Sequence, residues 1–234
     1  MPPSPARAAY DAIAAEYDAQ VAPSSWVRER LWERLDALFP AGARVLDVTA
    51  GTGLDVLHLA ARGVEVTACD LSPGMLARLN AKAPSVPTHV ADFNRLEEAG
   101  LAGPFDGIVS TFAGLNTAPD LAGFAREAAR LMRMTRPGGV LFLHVLNRRP
   151  GSPRYRTVRI AGIDVPHRLW SPDELARVFA ADFSLSRISG QGILRSVDDP
   201  LKYVGRDRWE RAVSRWPLVR GLGTFFSLEM RRRG

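Results

Sequence analysis

From residue 43 to residue 146 the apolar positions alternate between two patterns. Short unbroken runs at 43–48, 64–70, 87–91, 104–110 and 138–146 read as buried strands. Between them, 53–62, 72–82 and 119–134 carry apolar residues at spacings of three and four, the period of a helix. A short turn falls near Arg95. This alternation predicts a parallel sheet covered by helices on both faces, with right-handed crossovers. Upstream, residues 4–19 predict a helix with Ala8, Ile13, Ala14 and Tyr17 on its apolar side. Ser24 or Ser25 caps a second helix, Trp26 to Phe39, which Pro40 and Gly42 end. After Asn147 the period changes. Tyr155–Ile160 and Ile163–Trp170 read as a hairpin about Ala161-Gly162, with Pro166 confined to an edge. Ser171-Pro172-Asp173-Glu174 opens a helix, Phe183–Ile188 is a strand, Trp209–Trp216 a helix and Thr224–Met230 a last strand.

The chemistry gathers at the first strand. Val45-Leu46-Asp47-Val48 runs into Thr49-Ala50-Gly51-Thr52-Gly53, and a helix follows at once. Glycines allow positive φ and close approach of a ligand, and the helix offers free N–H groups at the same place. No Gly-Lys-Ser/Thr follows, which excludes a P-loop, and Val56 stands where a dinucleotide fingerprint requires Gly or Ala. The next strand, Val64 to Asp70, ends in an acid. Asp70 lies where a carboxylate accepts from ribose hydroxyls, about 20 residues beyond the glycine turn. Ser72 and Pro73 then start a helix, and Thr88-His89-Val90-Ala91-Asp92-Phe93 brings a third strand with an acid at its tip.

Taken in order, VLDVTAGTGLDVLHLAARG, VEVTACDLSPGML, VADF, FDGIVSTFAGLN and RPGGVLFLHV resemble the landmarks of class I S-adenosylmethionine-dependent methyltransferases. The resemblance covers Val45 to about Val145. It implies a doubly wound, seven-stranded Rossmann-like α/β sheet whose last strand inserts antiparallel. Residues 1–42 would be lid helices and 43–234 the methyltransferase domain, with 147–170 an inserted hairpin. It further implies a role for each matching residue. Asp47 supports the turn and reaches the methionine amino group. Thr49, Ala50, Gly51 and Gly53 line methionine and ribose, and Asp70 holds the ribose diol. Asp92 accepts from the adenine amino group, with Leu71 and Phe93 on the ring faces and Met75 counted with them. Ser110 offers backbone to the methionine end. Thr49 departs from the family pattern, which has glycine there.

The length of 234 residues suits one α/β unit, and 46% hydrophobic with 24% charged residues describes an ordinary globular chain. No apolar run reaches the ~20 residues that span a bilayer, no signal-peptide core opens the chain, and the single Cys69 forms no internal disulfide, so a cytoplasmic protein is expected. The net charge of +6 is lopsided: residues 1–146 hold 13 cations and 16 acids, residues 147–234 hold 18 and 9. An acidic small-molecule acceptor or nucleic acid fits that excess. Arg148, Arg149, Arg154, Arg156, Arg159 and Arg168 cluster about the hairpin, where a solvated face is the plainer reading.

Methyl transfer needs alignment first and a base only when the nucleophile rests protonated. His144 and His167 are the candidate bases; Tyr10 and Tyr17 are lid candidates, and Asn116 could bond a substrate oxygen. No metal spacing occurs. The loop after the fourth strand lacks the Asn/Asp-Pro-Pro-Tyr that accompanies methylation of bases and glutamine amides in the family. The expected activity is a methyltransferase acting on O or N of a small molecule. An RNA methyltransferase, a non-catalytic cofactor-binding protein and, last, a dinucleotide dehydrogenase are the alternatives. The acceptor and the oligomeric state are not written in the sequence.

Overall fold

The computed structural model describes residues 4–132, 138–194, 207–216 and 219–234. The end of the helix expected at 119–134 and the Pro137 of the following turn lie outside them.

The chain opens with helices α1 (Pro5–Ile13), α2 (Tyr17–Val21) and α3 (Ser25–Leu38). It then alternates β1 (Arg44–Asp47), α4 (Leu54–Ala61), β2 (Glu65–Asp70), α5 (Pro73–Lys82), β3 (Thr88–Val90), β4 (Gly107–Ser110), α6 (Ala122–Leu131) and β5 (Val140–Leu146). Next come the hairpin β6 (Tyr155–Ile160) and β7 (Ile163–Arg168), then α7 (Pro172–Phe179), β8 (Phe183–Gln191), α8 (Asp207–Val213) and β9 (Phe225–Arg232). Seven strands form one sheet in the order β3-β2-β1-β4-β5-β9-β8, and β6-β7 form a separate pair. β9 runs antiparallel between β5 and β8, with Leu143 opposite Leu228 and Leu185 opposite Met230. The strand order reverses between β1 and β4, so the ligand crevice of such a sheet falls at their carboxyl ends.

Neighbouring residues on each strand feed opposite cores. Leu46 and Ile108 enter a cluster with Phe124, Phe179, Phe183 and Phe226, against α6 and α7. Val45 and Val109 enter another with Leu31, Leu35, Phe39, Leu59 and Leu79, against α3, α4 and α5. Phe39 lies flat on the backbone of Gly107, where a Cβ would sit 2.2 Å from its ring. Burial of one such aromatic is worth about 1.5–3 kcal/mol, and any side chain at position 107 would evict it.

The single helix expected over 4–19 is two helices, interrupted at 14–16. On a continuous helix Tyr10 and Tyr17 would stand about 10 Å apart along the axis. The break brings their rings to 6.4 Å, edge to face. The hairpin turns on Ala161 (φ 48°) and Gly162 (φ 78°), the left-handed pair of a two-residue β-turn. Its apolar side, Ile160, Ile163 and Val165, packs on Ala6 and Ala9 of α1.

Candidate functional site

The β1 turn is made by backbone conformation. Gly51 (φ 55°) and Gly53 (φ 89°) are left-handed, which side chains resist at a cost of about 1–2 kcal/mol. A Cβ on Gly53 would also strike Leu79 Cδ1 at 2.3 Å. The tip of β2 hooks onto this turn: the Gly51 N–H donates to Asp70 Oδ2 at 2.8 Å, and the Ser72 N–H donates to Oδ1 at 2.9 Å. Burial raises the Asp70 carboxyl to about 6, although both N–H groups favour its charged form. Beneath the turn, Asp47 Oδ1 accepts from the Thr49 N–H at 3.0 Å, while Oδ2 is buried with no hydrogen-bond partner. Burial, then repulsion from Asp55, holds the Asp47 carboxyl well above the usual range.

Thr49 is accommodated by its neighbour. Its hydroxyl pairs with Ser110 Oγ at 2.8 Å. Its side chain fills the space in front of Gly114, where a Cβ would come within 2.5 Å of Thr49 Cβ.

The cleft over the turn is lined by Tyr10, Tyr17, Thr49, Ala50, Gly51, Asp70, Leu71, Met75 and Phe93, all candidates of the sequence. Ala6, Arg7, Arg28, Asp55, Thr111, Phe112 and Thr117 also line it, and the sequence reading had not singled them out. Two aspartates pin the N-terminal helices. Asp11 Oδ1 accepts from Ser72 Oγ at 2.5 Å and the Gly74 N–H at 2.9 Å. Asp18 accepts from Thr52 Oγ1 and Lys82 Nζ, both at 2.5 Å. Burial pushes both tyrosine hydroxyls up; Tyr17 and Asp70 add to this at Tyr10, and Arg28 opposes it at Tyr17. Both rings are therefore neutral.

The cleft's far wall is a buried ion pair. Arg28 Nη1 meets Asp55 Oδ2 at 2.5 Å, Trp32 Nε1 donates to Oδ1 at 2.7 Å, and the Thr111 hydroxyl donates to Oδ2. Burial alone would raise the Asp55 carboxyl, but the Arg28 charge and these donors hold it below its ordinary value. The Arg28 guanidinium lies 3.9 Å from the centre of the Phe112 ring. Phe112 (φ 48°) and Ala113 (φ 66°) are consecutive left-handed residues without glycine, a strain of about 1–3 kcal/mol each. His144 holds them: its Nδ1 accepts from the Phe112 N–H at 3.1 Å, and its carbonyl accepts from the Ala113 N–H at 3.1 Å.

Several candidates stand elsewhere. His144 is fully buried and absent from the cleft wall, and burial, with Gln191 opposing, lowers it to about 3. His167 is buried in the hairpin with Nδ1 3.0 Å from the Val165 carbonyl, also outside the wall. Asn116 is spent on structure: Oδ1 accepts from the Leu146 N–H, and Nδ2 donates to the Leu146 and Arg168 carbonyls. Asp47, Gly53 and Ser110 underpin the turn without lining the cleft. Asp92 lines an adjoining cavity instead, separated from Asp70 by Arg7 and Leu71, which line both. One Asp92 oxygen accepts from the Asn94 N–H at 2.9 Å. Of the hairpin arginines, Arg148 and Arg168 pair with Glu174, and Arg149 with Thr224. Among the described residues no cluster of side chains suits a metal ion, and no helix is long and apolar enough to cross a membrane.

A glycine turn and a carboxylate on adjacent strand tips of a doubly wound sheet define an adenosine-binding α/β protein. Residues 45–139 match the family model of the methyltransferase domain. Over these residues the chain is similar to class I S-adenosylmethionine-dependent methyltransferases. Among curated proteins, the demethylmenaquinone methyltransferase of Beutenbergia cavernae is 37% identical over 147 residues, 62% of this chain and 59% of that protein. The ubiquinone biosynthesis O-methyltransferase of Xanthomonas axonopodis pv. citri is 41% identical over 119 residues, 49% of this chain and 48% of that protein. The chain therefore spans 59% and 48% of the length of these relatives. Of solved structures, the Burkholderia thailandensis 1,6-didemethyltoxoflavin-N1-methyltransferase, with bound 1,6-didemethyltoxoflavin and S-adenosylhomocysteine, superposes with a TM-score of 0.60 at 20% identity. It covers 98% of this chain and 88% of that one.

Proposed function

We propose that the chain transfers a methyl group from S-adenosylmethionine to O or N of a small organic acceptor that loses its proton by its own acidity. The observation that carries this is the Gly51–Asp70 hook, set above the unpartnered oxygen of Asp47. The donor set suits the cofactor. Each Asp70 oxygen has accepted one N–H and keeps a lone pair for a ribose hydroxyl. Asp47 Oδ2, beneath the turn and outside the cleft wall, would take a cationic amine once the turn opens toward it, and that charge would offset the burial that favours its neutral form; Gly51 leaves open backbone beside the ribose. Leu71, Met75 and Phe93 supply apolar faces for adenine, and Asp92 reaches its amino group once Arg7 moves aside.

The enclosed space is about 80 Å³, enough for a few waters. The cofactor therefore enters when α1 and α2 lift, releasing the Asp11 and Asp18 contacts and swinging Tyr10 and Tyr17 off Asp70. Reclosure would exclude water and hold the acceptor against the sulfonium.

S-adenosylmethionine supplies an already activated methyl carbon. The protein's part is alignment, worth about 7–11 kcal/mol when complete. Phe112, pinned by His144 and faced by Arg28, would form the wall against which the acceptor lies. None of the groups around that wall is poised to take a proton. Asp55 is committed to Arg28, Trp32 and Thr111, and the tyrosines are protonated. An acceptor with a phenol- or enol-like acidity meets this requirement, and Arg28 would favour its anion.

The test is release of S-adenosylhomocysteine over a panel of phenols, enols, amines and transfer RNA, with pH–rate profiles. Turnover of an acidic phenol or enol, with a profile that follows the acceptor's own pKa, is expected. Methylation of RNA alone, or an enzyme-borne inflection that does not move with the acceptor, would sink the proposal.

A further inference from the structure

The positive charge of the second half of the chain finds a place on the sheet remote from the adenosine cleft. A second cleft of about 300 Å³ runs over β8 and β9 between α3 and α8, and it shares no lining residue with the first. Its walls are Arg30 and Arg34 from α3, Arg187 from β8, and Arg211 and Arg215 from the α8 segment. An adjoining cavity of about 370 Å³ continues it through Arg34, Arg187, Arg215 and Glu229. The floor is polar where a sheet face is ordinarily apolar: Ser189, Gln191, Ser227 and Glu229 stand where a covering helix would want aliphatic side chains.

Among the described residues the charges there do not balance. Glu229, buried at 2% exposure, accepts both bonds of a bidentate Arg34 pair at 2.6 Å. Arg187 competes for the same carboxylate from 3.6 Å, and its Nε is buried with no hydrogen-bond partner. Arg211 is committed to Glu33 by two bonds of 2.5 and 3.0 Å. One buried carboxylate is thus shared by two guanidiniums, with Arg215 facing the same space. Burial lowers the Arg187 guanidinium from its ordinary value, and the like charges of Arg34 and Arg215 push the same way against Glu229. The buried Arg187 Nε is a donor left unpaired, which is costly unless an acceptor joins it. Guanidiniums are the donors that fit phosphate oxygens in pairs.

We propose that this cleft binds a small phosphorylated molecule through a phosphate or diphosphate group, gripped by Arg187, Arg34 and Arg215 above the hydroxyls of Ser189 and Ser227. The cleft's size suits one such group and excludes a nucleic-acid duplex. The site is independent of methyl transfer, since none of its residues touches the cofactor cleft. Gln191, on its floor, is also the electrostatic neighbour of His144, so an occupant would lie one residue from the clamp on Phe112.

The experiment is calorimetry and thermal unfolding of the intact chain with inorganic pyrophosphate, at ionic strength held constant with potassium chloride. Saturable one-to-one binding is expected. Arg187→Gln should weaken it about tenfold, the loss of one charge-assisted pair. Arg215→Gln, at an exposed position just past α8, should weaken it less, and serves alone if the first variant does not fold. S-adenosylhomocysteine affinity, measured in parallel, should be unchanged in both variants; its loss in the parent chain would count against the methyltransferase reading and not against this one. Absence of saturation, equal binding by parent and variants, or a marked preference for single-stranded RNA over pyrophosphate through the same arginines would overturn the proposal.

Discussion

The two sides of the cleft over the β1 turn are built on different principles. On the β1–β2 side the working groups are backbone amides and short acids at strand tips. Gly51 and Ser72 place N–H groups, and Asp70 collects them. On the α3–β4–β5 side the working groups are long side chains drawn from distant parts of the chain: Arg28, Trp32, Asp55, Thr111 and His144. A backbone-built side depends on local conformation and tolerates change in its surroundings. A side-chain network depends on every member, and losing one leaves the others buried and unsatisfied.

That contrast can be broken most forcefully at Arg28. Arg28→Ala strands the Asp55 carboxylate in the interior and should cost about 3–5 kcal/mol of stability, read by denaturant unfolding. A loss within error would mean that the network is ornamental. Asp70→Ala addresses the opposite side. It should leave the fold intact yet weaken S-adenosylhomocysteine binding at least about a hundredfold, through two lost charge-assisted acceptors. Unchanged affinity in calorimetry would remove the cofactor assignment.

His144 separates a clamp from a base. His144→Leu frees the left-handed Phe112–Ala113 turn, a strain of about 1–3 kcal/mol per residue, and should lower kcat more than cofactor affinity. His144→Asn, whose Oδ1 can take the Phe112 N–H where Nδ1 did, should restore most of kcat. The parent's pH–rate profile should show no histidine inflection near neutrality, because burial lowers His144 to about 3. Failure of Asn to rescue would point to proton transfer.

A pH series sharpens the backbone side. The Asp70 carboxyl is raised to about 6 by burial, so cofactor affinity should fall about tenfold per unit below that pH, as the acceptor becomes protonated. The sign for stability is opposite. Its contribution is complete below the ordinary carboxylate range and is lost as the pH climbs through about 6. Asp70→Asn should therefore flatten that part of the cofactor-free stability curve. Last and smallest, His167→Ala should leave turnover within about twofold, as for a residue away from the reacting atoms.

The sequence made the backbone side legible and the other side nearly opaque. Strand runs, glycine pairs and an acid about 20 residues on are signals of local conformation, and they survive in a single chain. Asp55 gave no such signal, because an acid in the first turn of a helix ordinarily answers the helix dipole. Arg28 sits in an amphipathic helix, where an arginine is ordinarily solvated. The turn at Phe112 and Ala113 is left-handed without glycine, and no residue type announces that. Asn116 and His144 invite a chemical role by residue type, yet both are fully enclosed: Asn116 bonds the β5 tip and the Arg168 carbonyl, and His144 Nδ1 takes the Phe112 N–H. The break at 14–16 contains neither Gly nor Pro, so the helix period ran through it unmarked.

The packing of Thr49 against Gly114 makes these two positions a coupled pair. Restoring a glycine at 49 alone would open a void and unpair the Ser110 hydroxyl; placing alanine at 114 alone would collide with threonine. Only the exchange of both lets one methyl-sized volume change owner across the cleft. Each single step on that path is worse than either end, so a protein engineer importing the common turn into this chain must move both residues at once.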